Sequence, residues 1–200
     1  FTPIFMAGVA AQWTQTDIGY EGKANRADVN SFEVGGYLSW GDTRLYLNAN
    51  ASVTFHEIEV TRFALGGAAF GDYDGLTLSA YAEGGKTFET EEGFRIQPLV
   101  ALSFAHLDTD PYSETGPANV KLNIDGSDFD SLKAMVGARL AYPIQLDSGR
   151  KLVPEVRAIL AHEFMGDQSS FVGTIQNQAP VPKLVLGQKF SRETLILGAG

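Results

Sequence analysis

Leu45-Tyr46-Leu47-Asn48-Ala49-Asn50-Ala51-Ser52-Val53-Thr54-Phe55-His56 is the stretch that decides the fold. Leu45, Leu47, Ala49, Ala51, Val53 and Phe55 take every second position. Tyr46, Asn48, Asn50, Ser52, Thr54 and His56 fill the gaps. An extended strand sends successive side chains to opposite faces, whereas a helix repeats its apolar positions every three to four residues. The run is therefore one strand with an apolar and a polar face. It is about twice as long as an ordinary strand of about 5–6 residues, and long enough to cross a bilayer at a tilt, which takes about 9–11.

The same period recurs on both sides of it. Residues 31–40 set Phe32, Val34, Leu38 and Trp40 against Ser31, Glu33, Tyr37 and Ser39. Residues 131–142 set Leu132, Ala134, Val136, Ala138, Leu140 and Tyr142 against Ser131, Lys133, Met135, Gly137, Arg139 and Ala141. In 154–164, Val156, Ala158, Leu160 and Phe164 oppose Glu155, Arg157 and Glu163. Segments 4–16, 76–88 and 96–107 follow the period less cleanly, and another strand starts near Arg192. The connections are 17–30, 41–43, 58–74, 89–93, 108–130, 144–150 and 165–191, so long alternates with short. The short ones carry turn chemistry in Gly41-Asp42, Glu92-Gly93 and Asp147-Ser148-Gly149. An antiparallel meander with tight turns at one end and long loops at the other is the arrangement of an outer-membrane β-barrel. The expected fold class is all-β: an antiparallel transmembrane β-barrel meander, with about seven full strands and part of another in a single domain.

Composition agrees. The chain has 200 residues, is 44% hydrophobic and contains no cysteine, and its mean hydropathy is −0.06. No run approaches the roughly 18 apolar residues of a transmembrane helix. Disulfides and thiolate metal sites are excluded. A formal charge of −9 argues against nucleic acid, whose phosphates need clustered Lys and Arg. Phe1-Thr2-Pro3 offers no basic stretch ahead of the apolar residues, so either a leader has been removed or the chain starts inside a longer protein.

A soluble barrel would carry the same alternation turned inside out. Strand length, loop alternation and aromatics near strand ends (Trp13, Trp40, Phe55, Phe88, Tyr142, Phe164) favour the membrane. So does the abundance of Ala on the apolar faces, since a soluble core needs bulk to reach close packing. Slipping a strand by one residue exchanges its faces, and a basic side chain at the bilayer midplane costs roughly 2–4 kcal/mol. The expected lumen-facing residues are therefore Glu33, Glu83, Lys133, Arg139, Glu155 and Arg157. The expected lipid-facing residues are Leu45, Leu47, Val53, Leu132, Val136, Leu140, Val156 and Leu160.

Several segments resemble the translocator β-domain of autotransporters (type V secretion). Phe94-Arg95-Ile96-Gln97-Pro98-Leu99-Val100-Ala101-Leu102-Ser103-Phe104, ending in Ala105-His106-Leu107-Asp108, resembles the family's L-x-P-x-A-x-L-S-Y-x-x-L-D strand. Asp130-Ser131-Leu132 through Gly137-Ala138-Arg139-Leu140 resembles D-S-L-x-x-x-x-G-x-R-L. Pro154-Glu155-Val156-Arg157-Ala158 with His162-Glu163-Phe164 is similar to P-x-x-R-x-x-W-x-H-E-F. Val34-Gly35-Gly36-Tyr37, Arg44-Leu45-Tyr46-Leu47 and Gly71-Asp72-Tyr73-Asp74-Gly75 match its G-x-Y, W-Y-L-D and Y-D-G elements in order. The resemblance implies a twelve-stranded barrel in the outer membrane of a Gram-negative bacterium, with a linker helix through the lumen and an N-terminal passenger for secretion or surface display. On that alignment the chain begins near the third strand and stops within the tenth, so the linker helix is absent from it. The implied partners are outer-membrane lipid, that passenger and linker helix, and the barrel-assembly machinery.

No catalytic group, metal or cofactor is expected. His162-Glu163 lacks the second histidine of H-E-x-x-H, because Met165 and Gly166 follow Phe164. His106 with Asp108 and Asp110 has the residue types of a rim hydrolase, which keeps an omptin- or phospholipase-type enzyme as one alternative and a plain porin or adhesin barrel as another. Gly66-Gly67-Ala68-Ala69-Phe70-Gly71 opens no helix and reads as loop. Asp72, Asp74, Asp125, Asp128 and Asp130 have oxygen ligands suited to Ca²⁺ but match no full EF-hand spacing, and read as solvated loops.

Overall fold

A computed structural model describes residues 4–19, 25–64, 66–117, 119–146, 149–166, 168–179 and 181–200. Asp147 and Ser148 of the third tight turn lie outside the described residues, as do Phe1, Thr2 and Pro3. Eight long strands form one antiparallel sheet: β1 (Ile4–Gly19), β2 (Arg26–Gly41), β3 (Leu45–Ala64), β4 (Gly67–Lys86), β6 (Arg95–Thr109), β9 (Ser127–Ala141), β12 (Glu155–Glu163) and β15 (Glu193–Ala199). Their order is β1-β2-β3-β4-β6-β9-β12-β15, with each strand beside its predecessor in the meander. The sheet is open, and β1 and β15 are its edges. A short β5 (Phe88–Glu89) pairs with the start of β6, and β10 (Ile144–Gln145) pairs with β11 (Lys151–Leu152) across the third tight turn. The strand expected near Arg192 is β15.

The tight turns are built by their own side chains. Asp42 accepts hydrogen bonds from the amides of Arg44 (2.6 Å) and Leu45 (2.7 Å), an Asx turn that reverses the chain in three residues. Those two backbone bonds, Leu45's first, hold the Asp42 carboxyl below the usual carboxylate range. Gly93 takes φ 88° in the next turn, a left-handed conformation that favours glycine.

The long loops are largely sheet. Residues 17–19 and 26–30 extend the β1–β2 pair, and 58–64 and 67–74 extend β3–β4, so that only 65 and 66 separate the latter two. The excursions after β6 and β12 form a second sheet, in the order β14 (Lys183–Lys189), β13 (Gln168–Ile175), β8 (Leu122–Ile124), β7 (Tyr112–Ser113). It joins the main sheet at β4, through a backbone bridge between Phe70 and Thr115. Tyr73 and Tyr112 stack beside that bridge, with centroids 4.6 Å apart and planes within 4°. Arg62 of β3 clamps Glu114, which is 4% exposed, and its second nitrogen also donates to the Val120 carbonyl at 3.0 Å.

The extended parts were hidden from sequence by a change of phase. Up to Phe55 the odd residues of β3 are apolar, but beyond it Glu57 and Glu59 occupy that face while Ile58 and Val60 occupy the other. The neighbours change together: Asn30 and Asp28 on β2, Asp74 and Asp72 on β4, His106 and Asp108 on β6, Asp130 and Asp128 on β9. A strand that leaves hydrocarbon for water reverses which face must be polar, and a period-two reading stops at the reversal.

Candidate functional site: the two faces of the sheet

Register places every expected residue. Directly opposed residues in an antiparallel pair share a face. Leu47, Trp40 and Phe5 stand in one cross-strand row, and Phe55, Phe32 and Trp13 in another. Leu45 and Val53 lie on the same face of β3, and Val53 opposes Val34 and Leu78. Leu132 opposes Phe104, Val136 opposes Val100 and Leu160, and Leu140 opposes Ile96 and Val156. The eight residues expected to meet lipid thus belong to one apolar face. Val136 and Leu160 near its centre are 57% and 58% exposed. From Leu45 to Phe55 is about 33 Å along the strand at about 3.3 Å per residue. Tilted by about 40°, that is about 25 Å, the height of the apolar band of an outer-membrane barrel.

The polar face collects the six charged residues. Glu33 opposes Gln12 and Thr54, and the Gln12 amide donates to it at 2.5 Å. Arg139 opposes Gln97 and Arg157, Lys133 opposes Ser103 and Glu163, Glu155 opposes Ala141 and Glu83 opposes Ala101. Between the charged groups runs a ladder of small polar side chains: Ser39–Asn48 (2.7 Å), Ser52–Ser79 (2.7 Å), and Ser31–His56–Thr77 with both links at 2.8 Å. These are neighbouring-strand contacts that fix register and leave the polar face lined by hydroxyls and amides.

Two carboxylates are engaged more deeply than the sequence suggested. Glu83 is 6% exposed. It accepts from Tyr46 Oη, Tyr81 Oη and Arg139, each at 2.8 Å. Glu163 accepts from the Ser131 hydroxyl (2.6 Å) and from the amides of Leu132 (2.9 Å), Met165 (3.1 Å) and Gly166 (3.2 Å). The His162-Glu163-Phe164 motif is therefore a strand terminator: Glu163 ties the end of β12 to β9. Alternation revealed the face of Glu83 and Glu163 but not their partners, which come from strands distant in sequence.

Glycine keeps this face smooth. A Cβ at Gly85 would fall on the ring of Tyr46 and 2.8 Å from the Pro98 carbonyl oxygen, and one at Gly8 would meet Tyr37. The rings lie flat across glycines of the adjacent strand instead of standing off the sheet. At the tight-turn end a cavity of about 950 Å³ opens, lined by Arg44, Arg95, Gln97, Arg139 and Glu155 among others.

Two histidines, His106 and His162, face the other way. His106 pairs with Asp130 (2.7 Å) and His162 with Glu193 (2.5 Å), both on the apolar side just past its last hydrophobic residues. Among the described residues no group of three or more His, Asp and Glu could hold a metal ion. The described residues also contain no helix long and apolar enough to cross a membrane, which does not bear on crossing by strands.

The model of the autotransporter beta-domain family matches residues 1–200, the entire chain. The chain belongs to the autotransporter β-domain family. It is 26% identical over 162 residues to "Probable autotransporter YpjA" of Escherichia coli K12, covering 80% of this chain and 10% of that protein. It is 26% identical over 188 residues to "Outer membrane protein B" of Rickettsia rickettsii (86% and 11%) and 24% over 189 residues to "Outer membrane protein A" of Rickettsia conorii (88% and 9%). The chain spans about a tenth of the length of these relatives. An autotransporter β-domain resides in the outer membrane of a Gram-negative bacterium, and the two-faced sheet of long antiparallel strands is the part that resides there.

Proposed function

We propose that this β-domain is the membrane anchor and export scaffold for an N-terminal passenger of the same polypeptide. Its apolar face meets outer-membrane lipid, and its polar face lines a lumen that holds the linker segment. The observation that carries this reading is the apolar face, continuous across eight strands, backed by a face of hydroxyls, amides and charges. Leu45, Leu47, Val53, Leu132, Val136, Leu140, Val156 and Leu160 face hydrocarbon. In this reading all six charged residues face the lumen: Lys133 pairs with Glu163 at 3.9 Å and Glu83 with Arg139, while Glu155 and Arg157 meet an occupant. Insertion relies on the barrel-assembly machinery, because a sheet of such strands has its backbone edges satisfied in lipid only once a barrel closes.

The domain performs no catalysis of its own in this reading. His106 points out of the wall beside Asp130, and Ser31–His56–Thr77 is a register ladder between neighbouring strands. The test uses the full-length protein in cells. An epitope at the N-terminus is expected on the cell surface, with the barrel in urea-washed membranes. A urea-extractable product, or an epitope that stays inside although the barrel is inserted, would overturn the proposal.

A further inference from the structure

Arg139 lies on β9 and Glu83 on β4, with β6 between them. Their ion pair at 2.8 Å therefore spans two inter-strand gaps over the polar face of β6. On the way Arg139 touches Gln97 of β6 at 3.3 Å. Its guanidinium also sits 5.8 Å from the ring centre of Tyr46 on β3. Tyr46 and Tyr81 complete the shell of Glu83. Beneath the span, Leu99 of β6 is 2% exposed. Strands lie about 4.8 Å apart, so a side chain that grips the second strand along draws the polar side of the sheet together while the apolar side stays free. A strap on one face of a sheet bends it toward that face.

We propose that the Glu83–Arg139 strap sets the curvature of the wall at the tight-turn end and so fixes the bore of the lumen there, a role distinct from contacting the exported chain. It rests on the reading above that the polar face is the lumen. Glu83 and Arg139 act as positioning residues. They determine what cross-section the lumen admits beside the 950 Å³ opening that Arg139 borders.

The chain has no cysteine, so two nitroxides can be placed on it without background from the β-domain, any cysteine elsewhere in the protein being replaced by serine. Labels at Leu47→Cys on β3 and Val156→Cys on β12 flank the strap from the apolar face, near the same end and four strand steps apart. Distances are measured by pulsed electron spin resonance on the full-length protein in lipid vesicles. Glu83→Gln and Arg139→Gln are each expected to shorten the modal distance by about 2–3 Å: at a bend of roughly 30° at β6, labels about 7 Å outside the convex face splay by more than the roughly 0.7 Å of chord that straightening returns with strands about 4.8 Å apart. The double variant is expected to add nothing further. Should neither single variant insert, Arg139→Lys keeps the charge but loses the second arm to Gln97, and a smaller shortening is expected. Unchanged distances in the inserted variants overturn the strap. Labels reduced by ascorbate as fast as those in free water would instead sink the assignment of faces, and with it the reading on which the strap rests.

Discussion

Asn50 and Ala51 are adjacent in β3, both exposed, and on opposite faces at the middle of the band. Arginine at each gives a matched pair. Ala51→Arg puts a guanidinium near the middle of the band, six residues from the tight turn at Leu45 and four from the aromatic row at Phe55. The cost there is roughly 2–4 kcal/mol, about a 30- to 1,000-fold loss in the folding constant at about 1.4 kcal/mol per decade. Asn50→Arg adds the same group to a face already carrying Arg139 and Arg157, and should stay within about 0.5 kcal/mol of wild type, as ordinary water-facing substitutions do. Denaturant titration of the full-length protein in vesicles, followed by the gel shift between folded and heat-unfolded barrel, reads both. Equal losses, or a larger loss for Asn50→Arg, would refute the assignment of faces.

Glu163→Gln keeps the size of the side chain but weakens four hydrogen bonds to a carboxylate. It should lower stability by about 1.5–3 kcal/mol, seen as a lower denaturation midpoint. Gly85→Ala pushes the Tyr46 ring off its seat and should cost about 1–3 kcal/mol by overpacking, whereas Gly19→Ala, which meets nothing within 4 Å, should be neutral. Asp17, Asp28, Glu59 and Asp72 stand in one cross-strand row past the band. Like charges directly opposed destabilise a sheet by about 0.2–1 kcal/mol, so Glu59→Gln is expected to raise the midpoint, and raised salt to erase the difference. Burial, and then the neighbouring Tyr73 and Glu114, push the Tyr112 phenol up to about 12, with Arg62 opposing. Because the folded value exceeds the ordinary value of about 10, the stability Tyr112 contributes is complete below pH 10 and is lost as pH rises toward 12. A tyrosinate absorbance titration of wild type against Tyr112→Phe should show the missing step near pH 12.

Along the two-faced stretches the alternation read from the sequence is the alternation that the register displays, because every second side chain shares a face. Leu45 to His56 and Leu132 to Leu140 needed nothing else. The reading failed where the alternation changed phase. Beyond Phe55 the strand continues, but Glu57 and Ile58 have traded roles, so most of a segment read as a loop of 58–74 belongs to the paired strands β3 and β4. The second sheet was illegible for another reason. Its strands β7 and β8 are two and three residues long and are held by Arg62–Glu114 and Tyr73–Tyr112, pairs no local pattern connects. The interior charges were legible as a class. That Glu83 belongs to Arg139 rather than to an occupant depends on β4 and β9 flanking β6, which only the topology reveals.

Nitroxide labels placed singly from residue 45 to residue 56 of β3 in the full-length, membrane-inserted protein test the central claim most directly, through collision rates with molecular oxygen and with a water-soluble nickel chelate. Odd positions should collide most with oxygen and even positions most with nickel, with a period of two along the whole segment. The opposite phase, or nickel dominant at Leu47, Ala51 and Val53, would contradict it.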